Sequence, residues 1–481
     1  MHKILGSLLL AGCTLASSLA HAASASEITR SMMPGWNLGN ALDAIGGETN
    51  WGNPKTTRAM IDKVRSAGFK SLRVPVSWDD YTSGSSYSIA STRLDRVEEV
   101  VNYGLANGMY VIINVHHHNG WEAPTYANQS TAKDRLGKLW QQIATRFKGY
   151  DEHLIFEVMN EPRSGEDWTG TAENYAVVNT LNAAALSTIR ATGGNNASRL
   201  VMLPTYVAGP WDVQINALSL PADNMLAASI HAYIPYSFAM EYPGSSSFTD
   251  TALVDSVFAG LNTRFIAKGI PVVMGEWGTT NKGNYTERVK HAEYYVKAAA
   301  KLGIPVIVWD NNIFTTGGEA FGLLNRSTLS WTYPEIVTAI MQGASTMSGA
   351  SSSAATSTAS SSKAAASSSA ASSSSKASSA ASTSSAAASS VASSSKAASS
   401  ATSSASTTPA LLGTGDYPTG FSKCSAEDAT CTVPTGTGWV AFGRKGKWVA
   451  RNVGVGKSIA CSVAAFGSNP GGNPNKCAYQ K

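Results

Sequence analysis

The stretch HLIFEVMNEP, residues 153–162, carries two glutamates four positions apart, Glu157 and Glu161, in an apolar run that stops at Pro162. A third, Glu276, closes another apolar run, GIPVVMGEW. Two carboxylates facing one glycosidic bond can cleave it: one protonates the leaving oxygen while the other attacks the anomeric carbon, at a separation of about 5–5.5 Å when configuration is retained. Further apolar runs end on Asn37 and Asn40, Arg73, His116, Asn160, His231 with Tyr233, and Trp309. Together they offer carboxylates, imidazoles, one guanidinium and an aromatic platform, unlike the Lys, Ser and Asp of ordinary turns.

These residues must be carried by something that brings distant run ends together. One phrase recurs between residues 28 and 343: a helical pattern, a glycine, then a β-rich apolar run, as in SAGFKSLRVPV, ANGMYVIINVH, AKGIPVVMGEW and KLGIPVIVWDN. Glycine takes the left-handed conformation at a helix end without penalty, so each marks a stop. Continuously apolar runs fit parallel strands covered on both faces. With GWNLG, LIFEVMN, RLVMLPT and MLAASIHAY the strands number eight, and alternation with helices predicts a (β/α)8 barrel. An open doubly wound sheet is the alternative, but no G-x-G-x-x-G follows the first strand. In such barrels chemistry sits at the C-terminal strand ends, where these polar groups fall.

Strand periodicity puts Glu157 and Glu161 on one face, and depth separates them. On an ideal strand Glu157 lies roughly 13 Å further down, as a buried, paired acid, leaving Glu161 at the mouth. The run His116-His117-His118 suggests a metal, but successive strand residues point to opposite faces, so no metal and no cofactor is expected. His116 is assigned to the site, with His117 the doubtful neighbour. Trp51 and Trp121 fit cleft walls and loop anchors equally well. Each single residue also has a plainer reading: Arg73 as a buried ion-pair partner, Trp309 as core.

The ordered set GWNLGNALD, LRVPVSW, INVHHHNGW, FEVMNEP, HAYIPYSF, GEWG and VIVWDNN resembles glycoside hydrolase family 5, over essentially the whole barrel. ETNWGNPKTT is similar to its bacterial endo-β-1,4-glucanase branch. The resemblance implies a retaining mechanism, with Glu161 as acid/base and Glu276 as nucleophile. It places Asn160 on the sugar 2-hydroxyl, Tyr233 and Arg73 beside Glu276, His231 and His116 in the floor of the central subsite, and Trp309 under the sugar; Asn37 joins the substrate-binding set. The expected partner is a β-1,4-glucan, with xyloglucan, mixed-linkage glucan or mannan as alternatives. A non-catalytic sugar-binding barrel is the reading from another class.

The remaining segments divide the chain further. Residues 1–22 read as an export signal ending in the small-x-small form Ala20-His21-Ala22. LAGC resembles a lipobox that would lipidate Cys13 instead. Either route leads out of the cytoplasm, to a secreted protein or, with lipid, to a membrane-anchored one. Residues 344–408 are nearly all Ser, Ala and Thr, which cannot repay ordering by burial, and are expected to be a tether with a reach of roughly 45 Å. Residues 412–481 hold Cys424, Cys431, Cys461 and Cys477, which suggests two disulfides in one of three connectivities.

That last segment carries eight Lys/Arg against three acids, so with the basic tether the barrel itself is left near −4. Nothing there calls for nucleic acid. WVAFGRKGKWVARNV predicts a hairpin. Tyr417, Trp439, Phe442, Trp448, Phe466 and Tyr479 suit a small carbohydrate-binding unit in which several rings must be core. Arg444, Lys445, Lys447 and Arg451 keep open an acidic polymer instead. A monomer is expected.

Overall fold

In a computed structural model the described residues are 23–117, 120–354 and most of 417–480. The export segment with Cys13, His118, and the Ser/Ala-rich stretch from 355 to 408 lie outside them. The chain divides into two units, and each is considered by itself.

The first unit is the expected barrel. Its parallel strands are β1 (Gly35–Asn37), β2 (Ser71–Val74), β3 (Tyr110–Asn114), β4 (Leu154–Glu157), β5 (Val201–Pro204), β6 (Leu226–His231), β7 (Val272–Trp277) and β8 (Val306–Val308). They close in chain order, Trp36 pairing with both Leu72 and Val308. Helix α1 (Ala25–Ser31) precedes the barrel. The outer ring is α2 (Arg58–Ser66), α3 (Ser91–Leu105), α4 (Gln129–Phe147), α5 (Ala172–Ala191), α6 (Asp212–Ala217), α7 (Thr251–Arg264), α8 (Tyr285–Lys301) and α9 (Pro334–Ala354). Gly68, Gly108, Gly269 and Gly303 have φ values of 108°, 65°, 75° and 70°, the left-handed stops read from the sequence. Helix α1 starts at Ala25, and α9 runs to Ala354.

Strand alternation sorts the interior into layers. Outward residues such as Leu72, Val111, Phe156, Leu203 and Met274 join the strand–helix core. Inward residues Ile112, Ile155, Met202, Ala227, Val273 and Ile307 close the barrel floor together with Ala25, Ile28 and Met32. Two residues further along β3, β4, β6 and β7 the inward positions become Asn114, Glu157, Ser229 and Gly275, so the barrel is apolar below and polar above. No helix among the described residues is long and apolar enough to cross a membrane.

The second unit is a small β fold with strands β9 (Phe421–Ala426), β10 (Thr430–Thr432), β11 (Trp439–Arg444), β12 (Lys447–Asn452), β13 (Ser458–Ala460) and β14 (Lys476–Gln480). The sheet order is β9-β14-β11-β12, with β10 paired to β13. β11 and β12 form the expected hairpin, Val440 opposite Arg451. The connectivity is Cys424–Cys431 and Cys461–Cys477. Phe442 and Phe466 stack in the disulfide core at 5.1 Å, and Trp448 is buried on the other sheet face with Phe421. Those rings are structural; Tyr417, Trp439 and Tyr479 are half-buried.

Candidate active site

The polar layer is organised by Arg73, whose side chain is fully buried. Its Nε donates to Glu157 Oε2 (2.9 Å), and its Nη1 to Asn37 Oδ1 (2.9 Å) and Glu276 Oε1 (2.7 Å). Its Nη2 donates to Asn160 Oδ1 (2.8 Å) and reaches Glu157 Oε2 at 2.7 Å. Four hydrogen bonds and one further ion-pair contact thus engage the whole guanidinium. Asn37 is engaged as well, its amide donating to the carbonyls of Gly275 (2.9 Å) and Ile307 (3.0 Å). Arg73 lies beside Glu276, as the resemblance implies; both residues were also placed in the substrate-binding set, and both are buried with their side chains bonded to protein groups.

Glu157 also accepts from Asn114 Nδ2 (2.8 Å) and Ser229 Oγ (2.5 Å). Burial would raise its pKa, but the Arg73 charge, then the His231 imidazole and the Ser229 hydroxyl, hold it at about 2. Burial likewise opposes charge on Arg73, and Glu157 and Glu276 overcome it, raising its pKa. The depth expected between Glu157 and Glu161 requires correction. β4 ends at Glu157, so the next four residues do not rise as an ideal strand. Both glutamates meet one imidazole: His231 Nε2 lies 3.8 Å from Glu157 and Nδ1 2.8 Å from Glu161.

His231 Nδ1 is also 3.7 Å from Glu276. Burial lowers a histidine pKa, yet Glu276, Glu157 and Glu161 together bring His231 up to about 9. For Glu161 burial again pushes upward, and the hydrogen bond and charge of His231, with Arg163 and Arg73, turn the net shift downward. The Tyr233 hydroxyl donates to Glu276 Oε2 at 2.9 Å. Burial and the charge of Glu276 raise its pKa well above the ordinary value, so it stays a neutral donor. Carboxylate oxygens of Glu161 and Glu276 and a ring nitrogen of His231 all lie within 4.8 Å of one another.

Glu276 enters this cluster through a break in alternation. Val273 points in, Met274 out and Gly275 in, so an unbroken strand would turn Glu276 outward. The register shifts here on both sides of β7, pairing His231 with Glu276 and Val308 with Trp277. Such a bulge re-aims the side chain inward. Beside it Gly275 leaves room for the imidazole, since a Cβ there would stand 3.0 Å from His231 Nε2 and press on the ring.

At the other wall, Asn114 Oδ1 accepts from Val76 N, which fixes the amide so that Nδ2 donates to His116 Nδ1 at 3.1 Å. His116 lies nearly parallel to Trp309, with centroids 6.0 Å apart. Trp309 is largely buried and seated on Gly39, where a Cβ would come within 2.6 Å of the ring. His116 and His117 do not diverge as successive strand residues would, because β3 ends at Asn114. His116, His117 and the buried Asp43 bring one ligand atom each within 4.8 Å of one another. Trp51 is exposed beside His117, whereas Trp121 is a loop anchor bonded to Asp79. Asn114, Ser229 and Gly275 were missed as site residues; the signal was a polar or tiny residue inside an apolar run, as in IIN, AASI and VMGEW.

The family model for cellulases of glycosyl hydrolase family 5 matches residues 37–315, ending before the disulfide-bonded unit. Among curated proteins, cellulase/esterase CelE of Acetivibrio thermocellus is 51% identical over 331 residues, 67% of this chain and 40% of that protein. Endoglucanase A of Clostridium longisporum is 48% identical, covering 66% of each. The chain thus spans less than two thirds of the length of both. A solved broad-specificity endoglucanase from Ruminococcus champanellensis with bound cellotriose aligns with 46% identity and a TM-score of 0.65, over 66% of this chain and 98% of that one.

Proposed function

The chain belongs to glycosyl hydrolase family 5, and we propose that it is an exported retaining endo-β-1,4-glucanase. The observation that carries the mechanism is the approach of Glu161 and Glu276 oxygens to within 4.8 Å. That supports direct attack on the sugar, since inverting pairs stand about 6.5–9.5 Å apart to admit a water. An extended polymeric substrate is supported by the exposed aromatics. Among the described barrel residues these are Trp51, Tyr126, Trp168, Trp211, Tyr236 and Tyr242, and every one lies in a connection leaving the C-terminal end of a strand, Tyr236 at the start of a short helix there. Rings on such loops offer stacking faces to successive sugars.

In the first step Glu276 bonds to the anomeric carbon while the bond to the leaving oxygen breaks and takes the proton delivered by Glu161. Arg73 and Tyr233 fix the two oxygens of the nucleophile. The proton resides on the Glu161–His231 pair, drawn to His231 chiefly by the charge of Glu276. As that charge is consumed in the ester, His231 loses its strongest attraction for the proton and releases it toward Glu161. In the second step Glu161 takes a proton from water, the hydroxide adds to the anomeric carbon, and Glu276 leaves as a carboxylate. Asn160, oriented by Arg73, is assigned to the 2-hydroxyl, and His116 and Trp309 to the sugar in the central subsite.

Cellulose or a related β-1,4-glucan is the proposed substrate. Xyloglucan, mixed-linkage glucan and mannan are the alternatives, and the cellotriose-bound relative's broad specificity keeps them in view. The disulfide-bonded unit is proposed to bind carbohydrate. Replacing Glu276 by Ala lowers turnover by at least about 10^4-fold. Azide then restores cleavage of an activated aryl glycoside by taking the vacated place of the nucleophile. Near-normal activity in that variant overturns the assignment.

A further inference from the structure

The loop after Glu161 carries two side chains that the mechanism above does not use. Arg163 Nη1 lies 3.8 Å from Glu161 Oε2, the oxygen opposite the one bonded to His231. That is longer than a hydrogen bond, so Oε2 feels a cation and stays free to meet a leaving oxygen. The Arg163 guanidinium rests over the Trp168 ring at 4.5 Å, and its Nε donates to Gly165 O at 3.1 Å. The indole remains 52% exposed.

The loop is well held. Asp167 Oδ1 accepts from Thr169 N and Gly170 N, Tyr206 OH donates to Asp167 O, and Gln214 Nε2 donates to Trp168 O. His231 Nδ1, 3.7 Å from Glu276, holds Glu161 at Oε1, whereas Arg163 with Trp168 approaches it at Oε2, the oxygen that His231 does not hold and that can face a departing sugar.

We propose that Arg163, seated on Trp168, is a positioning residue that links sugar binding on the leaving-group side to the protonation of Glu161. Trp168 offers the departing chain a stacking face. The guanidinium beneath it favours the carboxylate form of Glu161, which the second step needs. The groups around Glu161 are His231 and Arg163 at the distances given and Glu276 within 4.8 Å, with Arg73 and Tyr233 bonded to Glu276 and Glu157 on the other nitrogen of His231. Of the two cations, only Arg163 belongs to the exposed side.

The inference rests on Glu161 being the acid/base. In the full chain, Arg163→Gln, Arg163→Lys, Trp168→Ala and Glu161→Ala are assayed across pH with cellopentaose and with a dinitrophenyl cellobioside, whose leaving group needs no proton. Loss of the cation makes the Glu161–His231 pair hold its proton to higher pH. Arg163→Gln should therefore move the alkaline limb of kcat/KM on cellopentaose upward by about half a pH unit, Arg163→Lys should return it, and the aryl substrate should show no shift. Trp168→Ala should raise KM for cellopentaose about fivefold while leaving that for the aryl substrate within about twofold.

Trp168→Ala should also move the limb upward, by less, and carries the test if Arg163→Gln does not fold. An unmoved limb in both variants overturns the inference, as does a shift that Lys fails to reverse. Glu161→Ala separates the two ideas: equal loss of kcat/KM on both substrates defeats the acid/base reading itself, because the first step needs a proton from Glu161 only with cellopentaose. Loss confined to cellopentaose with an unmoved limb defeats only the role of Arg163.

Discussion

The two units hold themselves together by opposite means. The barrel is built on a large interior without cysteine, and its most constrained region is a buried array of charges around Arg73. The small β unit has no comparable array among its described residues and fastens a few apolar side chains with two disulfides. Size explains part of the contrast, because a short chain buries too little surface to offset its conformational entropy. Use explains the rest. A charge array can be broken from one side by substrate chemistry, whereas a covalent staple only holds.

The sharpest way to break that contrast is to remove one charge from the barrel. Glu157→Gln keeps the shape but leaves Arg73 with Glu276 as its remaining carboxylate, at a cost of about 4 kcal/mol, read from chemical denaturation of the barrel transition. The pH dependence has a definite sign. Burial tends to raise the Glu157 pKa, but Arg73 holds it near 2, below its ordinary 4.5. A depressed carboxylate contributes stability that is present above about 4.5 and lost as pH falls toward 2. Wild type and variant should therefore converge in acid. A constant gap across that window would show that lost packing, not lost charge, is responsible.

A smaller effect is expected in the other unit. In the chain-entropy view, opening Cys461–Cys477, which closes the longer loop, costs about 3 kcal/mol, and opening Cys424–Cys431 about 2.5 kcal/mol. A thiol reductant followed by calorimetry should lower only the transition of the small unit. A matching fall in the barrel transition would mean that the units are not independent, and the comparison would fail.

The barrel was legible because glycine stops and apolar runs are local signals, repeated often enough to count strands. The two catalytic candidates were legible because they end such runs. What stayed hidden depends on departures from ideal geometry. Strand alternation aims Glu276 outward, and only the bulge beside Gly275 turns it in. Ideal rise buries Glu157 far below Glu161, yet the strand ends between them and one imidazole reaches both. Arg73 and Asn37 were legible as polar ends of apolar runs, but their bonding to protein groups is a property of five chain segments meeting. The disulfide connectivity was likewise undetermined by spacing, and the fold sets it as Cys424–Cys431 and Cys461–Cys477.

The mildest test concerns the barrel's apolar floor, where neither charge nor covalent bond does the holding. Helix α1 begins with a capping box: Ser24 Oγ accepts from Glu27 N at 3.3 Å, and Glu27 Oε2 accepts from Ser24 N at 2.8 Å. The cap sets the helix that delivers Ala25, Ile28 and Met32 to the floor cluster. Ser24→Ala should cost about 1 kcal/mol, because an exposed cap contributes only its own hydrogen bond while the buried face keeps the helix docked. That is about 2 °C in the barrel transition. A loss as large as that of Glu157→Gln would mean that the plug releases as a unit, making the floor and not the charge array the weakest part of the barrel. A loss near the expected value, with turnover unchanged, would leave the upper layer as the place where stability and chemistry share the same residues.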